Sequence, residues 1–398
     1  MTALSIAYVL ADPGIGVFGT KGASVHVQEV VRALRADGHR VTVFCTRTDD
    51  HVPADLADLD VQRIVLPRGR GPERERAVAA ASAEIAQRIA GGGFDLVYER
   101  YSLFADTAAR LAGRIPSILE VNAPLVDEQR RHRSLADEAG AISATVAQLQ
   151  GASLVSCVSG QVAAWALQHG AVPDRLQVTP NGVNTARITP SPARSPRHPS
   201  PGHRAPVTVG FVGTLKPWHG TDVLVQALAR TRGDLTLEVC GTGPEQSALE
   251  ELAADLRLGS RIRFHGAVPP EKVPGVLHRL DIACAPYPPG DHYFSPLKVY
   301  EYLAAGLPVV ASAIGAIPEI LQHGRLGRLV PPGDVDALAS ALDALVADPA
   351  ERALLGAAGR EAAVTGHDWR IRCRELLQGA LTDQAATRDA VSVASGGS

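Results

Sequence analysis

The sequence predicts an α/β chain built as two doubly wound, parallel-sheet domains. Three observations lead there. Short apolar runs alternate with stretches of helical periodicity, the pattern of strands joined by crossover helices. That alternation stops once, in a Pro-rich stretch, and then restarts. The chain has 398 residues, 45% of them hydrophobic, which is long for one domain and suits two.

The elements follow in order. SIAYVL is a buried strand, DPGIGVFGTKG a loop, and ASVHVQEVVRALRADG a helix with Val27, Val30, Val31 and Leu34 on one face and Gly38 at its end. VTVFC, FDLVYER, SILEVN, ASLVSCVS and LQVTPNGV read as further strands. The first domain is expected over 1–186. Six prolines between Pro190 and Pro206 mark 187–206 as a linker or solvated loop. VTVGFVG, LTLEVCG, RIRFHG and DIACAPY then supply strands of a second domain over 207–365, with GTDVLVQALART and PEQSALEELAADL as helices. A helix over 366–382, packing back toward the first domain, and a disordered tail over 383–398 complete the chain.

Composition narrows the function. A net charge of −3 and 4% aromatic residues argue against a nucleic-acid binder. Cys45, Cys157, Cys240, Cys284 and Cys373 show no metal or disulfide spacing and fit a reducing cytoplasm. The first residues lack a basic region and meet Asp12 early, so they read as a strand rather than a signal peptide. The uncharged run from Tyr302 to Pro318 contains Gly306, Pro308 and Gly315 and is too short and broken to span a membrane. The chain has four lysines, and Lys21, Lys216 and Lys298 fall in loops that carry glycine or proline.

The segment YFSPLKVYEYLAAGLPVVAS carries the chemistry. Ser295 before Pro296 reads as a helix N-cap followed by proline at the first helical position. Amides at such a start, from Leu297 onward behind Pro296, suit a phosphate. Lys298 and Glu301 are three apart and share a face. A cation beside phosphates and a carboxylate one turn on match a nucleoside diphosphate, the carboxylate accepting the ribose hydroxyls. An ordinary helix with a surface Lys–Glu pair would read the same in isolation.

This segment resembles the signature of the family 4 retaining glycosyltransferases of the GT-B fold. VTPNGVN at 178–184, GFVGTLKPWHG at 210–220, VCGTGPEQSALEELA at 239–253, RFHGAVPPEKVPGVLHRLDIACAPY at 263–287 and IPEILQHGRLGRLVPPGD at 317–334 match further motifs in order. The resemblance implies two Rossmann-like domains facing across a cleft, and Glu301 as the second Glu of an E-x7-E pair, holding the donor ribose. The first Glu of that pair is replaced by Tyr293, with Ser295, Pro296, Leu297 and Lys298 taking over part of its role. Where the family has Arg and Lys on the diphosphate, this chain has Thr214 and His219, with Lys216 between them after Gly213. The resemblance also implies donor contacts at Gly243, at His265, Gly266 and Val268 beside the base, and at Lys21 and Gly22. Glu120 and Asn122, after a strand of the first domain, would point into the cleft and join Lys298 and Lys216 as catalytic groups.

The expected activity is metal-free transfer of a hexose, with anomeric retention, from a UDP- or GDP-sugar to an acceptor nucleophile. No cofactor beyond the donor is implied, and no nucleic-acid partner. A lipid-linked acceptor would bring peripheral membrane contact and a small-molecule acceptor would not. A nucleotide-sugar epimerase and a non-catalytic nucleotide-sugar-binding protein are the alternatives. A pyridoxal-phosphate phosphorylase would need a further lysine, and only Lys272 lies outside the motif loops. An NAD dehydrogenase is disfavoured by the lack of GxGxxG between the first strand and helix.

Overall fold

The computed structural model describes residues 2–132, 135–192 and 206–395, and no side chain at 132 or in 383–395. It contains two compact units. Unit 1 comprises Met1–Asn181, Tyr293–Ser295 and Trp369–Ser398, and unit 2 comprises Gly182–His292 and Pro296–Asp368. Most of the expected linker, 193–205, lies outside the described residues.

Unit 1 begins with β1 (Ser5–Leu10), α1 (Gly22–Ala36), β2 (Arg40–Cys45), β3 (Asp60–Arg63), α2 (Pro72–Ala90) and β4 (Leu96–Arg100). It continues with α3 (Thr107–Arg110), β5 (Ser117–Val121), α4 (Leu125–His132), α5 (Glu138–Gly151), β6 (Leu154–Cys157), α6 (Gly160–Gln168) and β7 (Leu176–Val178). The strands form one seven-stranded sheet in the order β3-β2-β1-β4-β5-β6-β7, and every pairing is parallel. Parallel strands are covered on both faces, so β4 and β5 are buried at every residue. The sequence pattern passed over β3, DVQR, which is an edge strand with no fully buried residue.

Unit 2 begins at Gly182, earlier than the boundary expected at 187. Val183 bridges to Asp368, and the Arg360 guanidinium donates to the carbonyls of Thr185 and Ile188. Its elements are β8 (Val207–Val212), α7 (Thr221–Arg230), β9 (Leu235–Cys240), α8 (Gln246–Asp255), β10 (Ile262–Phe264), α9 (Val273–Leu277) and β11 (Ile282–Ala285). Then come α10 (Leu297–Ala304), β12 (Val309–Ser312), α11 (Ile317–Ile320), β13 (Gly327–Val330), α12 (Val335–Ala347) and α13 (Pro349–Gly366). The six strands are parallel, in the order β10-β9-β8-β11-β12-β13. Phe211, Leu224, Leu237, Cys284, Val310 and Leu342 lie in the core between this sheet and its helices.

The chain ends in α14 (Trp369–Ser395), a helix of unit 1 that runs beyond the expected end at 382. It packs on α1, where the Trp369 ring meets the His26 ring edge-on at 4.7 Å. No helix among the described residues is long and apolar enough to cross a membrane.

In both sheets the strand order reverses in the middle, between β1 and β4 and between β8 and β11. Loops at the carboxyl ends of strands beside such a reversal are where open α/β sheets bind ligands.

Candidate functional site

In unit 2 the loops after β8 and β9 lie backbone to backbone. Gly213 N–H donates to Cys240 O at 2.9 Å, and Leu215 N–H to Thr242 O at 2.9 Å. A Cβ on Gly241 would stand 1.9 Å from Gly213 O, and one on Gly243 would stand 2.0 Å from Leu215 O. Only glycine permits this approach.

Lys298 sits over these loops, in the first turn of α10. The residue is 8% exposed. Its Nζ lies 4.4 Å from the centre of the Phe211 ring on β8 and 5.0 Å from that of Tyr287, which follows β11. A Cβ on Gly213 would lie 3.4 Å from Nζ. The aromatic faces favour a cation, yet Nζ has no hydrogen-bond partner. Burial lowers its pKa to about 7, against the pull of Glu301 one turn on. Tyr302, on the same helix, anchors α10 to β8 by accepting from Val212 N–H at 2.9 Å.

His219 completes the surround. Its Nδ1 donates to Thr214 O, which fixes the neutral tautomer with the Nε2 lone pair free of that bond. Burial first, and the Lys298 charge next, lower its pKa to about 3. His219 is therefore neutral at physiological pH, not a replacement for the family's lysine charge. Thr214 is exposed, and the Lys216 ammonium stands 5.4 Å from the Trp218 ring.

Ser295 does not cap α10. The N-cap position is Pro296, without a side-chain bond. Ser295 Oγ instead accepts from Asn181 N–H at 3.0 Å, and its carbonyl accepts from Asn181 Nδ2 at 2.8 Å. Tyr293 O accepts from the Ser159 hydroxyl, and its ring packs against the apolar cluster around Leu119 and Val162. Tyr293 and Ser295 thus belong to unit 1, and Pro296, Leu297, Lys298 and Glu301 to unit 2. The helix ends as expected, with Gly306 at φ +65°.

The turn after β10 meets the turn after β9, Gly241 N–H donating to Gly266 O at 2.7 Å. Val268 is half-buried just beyond. The His265 side chain is exposed, its Nε2 3.5 Å from the Glu238 carboxylate on β9.

In unit 1, Lys21 and Gly22 are exposed where α1 begins. Glu120 was expected to point into the cleft as a catalytic group, but it is 4% exposed and its oxygens are occupied. His26 Nε2 lies 2.9 Å from both, Tyr98 OH donates to Oε1 at 3.0 Å, and an Arg100 nitrogen lies 3.5 Å from Oε2. Burial opposes the charge, but His26, Arg100 and Asn122 overcome it and hold the carboxyl at about 2. A carboxylate so engaged is a poor proton acceptor at neutral pH, and in the structure it ties His26, Tyr98 and Arg100 together. Glu99 is likewise structural, accepting from the Thr107 and Ala108 amides of α3.

The sequence reading missed Phe211 and Tyr287 as the walls around Lys298, and His26 as the partner of Glu120. Both aromatics stood inside quoted motifs, GFVGTLK and DIACAPY.

The profile described as Glycosyltransferase Family 4 matches residues 20–187, and Glycosyl transferases group 1 matches 206–348. The chain is 34% identical over 51% of its length to a GDP-mannose-dependent alpha-(1-6)-phosphatidylinositol monomannoside mannosyltransferase of Mycolicibacterium smegmatis, and the match spans 56% of that protein. It is 27% identical to a phosphatidyl-myo-inositol mannosyltransferase of Mycobacterium leprae, over 90% of this chain and 92% of the other. It is 28% identical to a D-inositol 3-phosphate glycosyltransferase of Stackebrandtia nassauensis, over 96% and 90%.

Solved structures share the fold. HepE of Anabaena with UDP and glucose superposes with a TM-score of 0.70 at 20% identity, over 94% of this chain and 98% of the other. Sucrose-phosphate synthase from Thermosynechococcus elongatus gives 0.72 at 23%, over 96% and 100%. Both domains are thus of the GT-B type, and the chain belongs to the family 4, group 1 glycosyltransferases.

Proposed function

We propose that the chain transfers a hexose from a UDP- or GDP-sugar to a hydroxyl of a polyol acceptor, with retention of anomeric configuration and without a metal in the transfer step. The observation that carries this reading is the Lys298 ammonium, buried between two aromatic rings and without a hydrogen-bond partner. A diphosphate supplies the missing anionic acceptors. The names of the relatives, which include a GDP-mannose-dependent enzyme and inositol-phosphate glycosyltransferases, support the donor and acceptor classes.

As the bond from the anomeric carbon to the diphosphate breaks, negative charge grows on the leaving oxygen. Lys298, the first amides of α10 and the loop at Gly213 stabilise it. The acceptor oxygen bonds the same face of that carbon, and its proton passes to the departing phosphate. Glu301 holds the ribose. Lys216 adds charge from the loop, because neutral His219 does not. Donor contacts at Gly243, Gly266 and Val268 belong to the same reading.

Calorimetry with UDP- and GDP-sugars tests it. Glu301→Ala is expected to weaken donor binding about 150-fold or more, the loss of two hydrogen bonds to a charged group. Wild-type affinity in that variant would sink the assignment. NMR of the product, made with inositol phosphates as acceptors, reads the anomeric outcome and the acceptor class.

A further inference from the structure

Glu238 and Cys240 are two apart on β9, so their side chains leave the same face of the sheet. The register pairs Arg263 with Glu238 and Phe264 with Val239. His265 N–H extends that ladder by donating to Val239 O at 2.9 Å. The next pair in register is His265 with Cys240, which puts the imidazole on the face that carries the thiol and the carboxylate. One ligand atom from each of Glu238, Cys240 and His265 lies within 4.8 Å of the others, and the His265–Glu238 pair is at 3.5 Å. Glu238 Oε2 is buried and accepts no hydrogen bond.

We propose that Glu238, Cys240 and His265 form a binding site for a thiophilic divalent cation, with zinc the preferred ion. One oxygen, one sulfur and one imidazole nitrogen are a zinc donor set, and a water would fill the fourth position. A thiolate ligand selects against magnesium and calcium, which prefer oxygen donors. Tetrahedral zinc needs its donors roughly 3–4 Å apart, so the site closes by small side-chain rotations. His265 keeps one third of its side chain exposed and gives the ion its entry. Two cations neighbour the site: Arg263, paired in register with Glu238, and Arg279, its Nε 3.8 Å from Glu238 Oε2 and its side chain 53% exposed. On binding, the Cys240 S–H bond breaks, its proton passes to solvent and a zinc–sulfur bond forms. The site borders the Gly241 and Gly266 turns of the donor reading, and the metal titration reads it separately from donor binding.

The test titrates Zn²⁺ into the full-length, metal-stripped protein against a chromophoric chelator. One equivalent is expected to bind, and Cys240→Ser and His265→Gln are each expected to weaken it roughly tenfold or more. With Co²⁺ as the probe, a thiolate-to-cobalt charge-transfer band is expected in the wild type and absent in Cys240→Ser. His265→Gln changes an exposed side chain, so it answers even if the Cys240 variant fails to fold. The absence of a stoichiometric equivalent, or one that persists unchanged in both variants, overturns the proposal.

Discussion

Glu120 and Lys298 are both charged side chains buried near the carboxyl ends of a parallel sheet, and the protein treats them in opposite ways. Glu120, in unit 1, has both oxygens engaged by His26 and one also by Tyr98, and its acidity is held at about 2. Lys298, in unit 2, has aromatic faces beside it, no hydrogen-bond partner, and a pKa lowered to about 7. The Glu120 oxygens are met without a ligand, whereas the Lys298 nitrogen is not. Burial of a charge therefore does not mark a functional site by itself. Lys298 adds an unmet hydrogen-bonding demand on the charged atom itself, a cost that folding tolerates where a ligand later meets it.

The sharpest way to break this comparison is at Glu120. Removing one partner of a buried ion pair leaves the other uncompensated, so Glu120→Ala is expected to lower stability by about 3–5 kcal/mol. Urea unfolding measures it. The folded carboxyl titrates below the ordinary 4.5, so its contribution is present above pH 4.5 and is lost as pH falls toward 2. A Glu120→Gln variant that folds at wild-type stability yet transfers no sugar would return Glu120 to the catalytic set.

Lys298→Met should behave in the reverse sense. Donor binding is expected to fall by about 1.5–3 kcal/mol, the worth of a hydrogen bond to a charged group, as read by calorimetry with UDP or GDP. Stability should rise. Burial depresses the lysine from 10.5 to about 7, so its cost to folding is complete below pH 7 and fades as pH rises to 10.5. The gain from Lys298→Met is accordingly larger at pH 6 than at pH 10. A loss of stability at pH 6 would show that Lys298 is already satisfied in the free protein.

Much of the architecture could be read in the sequence, because buried parallel strands such as SIAYVL and LTLEVC are short apolar runs between helices. The edge strand β3 could not, since DVQR buries no residue fully. The site was legible as positions and not as environments. A lysine in a helix reads as a surface residue, and only the fold sets Phe211 and Tyr287 around it. Glu120 stood out as a carboxylate after an apolar run, but its partner His26 is 94 residues away in sequence. Ser295-Pro296 had the composition of a helix start, and Asn181 takes up that hydroxyl instead.

A subtler test follows the proton on Lys298. A bound diphosphate favours the ammonium, so above pH 7 nucleotide binding takes up a proton. Affinity for UDP or GDP should then fall as pH rises from 7, by up to about tenfold per unit. Titrations in buffers of different ionisation enthalpy would register the uptake directly. The slope should vanish in Lys298→Met. A slope that survives there belongs to another group and separates Lys298 from the diphosphate.

The smallest expected effect comes from a charge cluster whose arginines stand half in water, although the Asp37 side chain between them is 8% exposed. Asp37, just after α1, accepts from Arg370 Nε at 2.7 Å and from Arg374 Nε at 2.6 Å, tying α14 to α1. Both arginine side chains are about half exposed. Water screens such pairs, and their worth is about 0–1 kcal/mol. Asp37→Asn should therefore cost about 1 kcal/mol or less, and the cost should shrink in high salt, whereas that of Glu120→Ala should not. Urea unfolding of the two variants at low and high ionic strength makes the comparison. A salt-insensitive loss at Asp37 would mean that the arginines are held as tightly as His26 holds Glu120, and that exposure is a poor guide to which ion pairs this fold depends on.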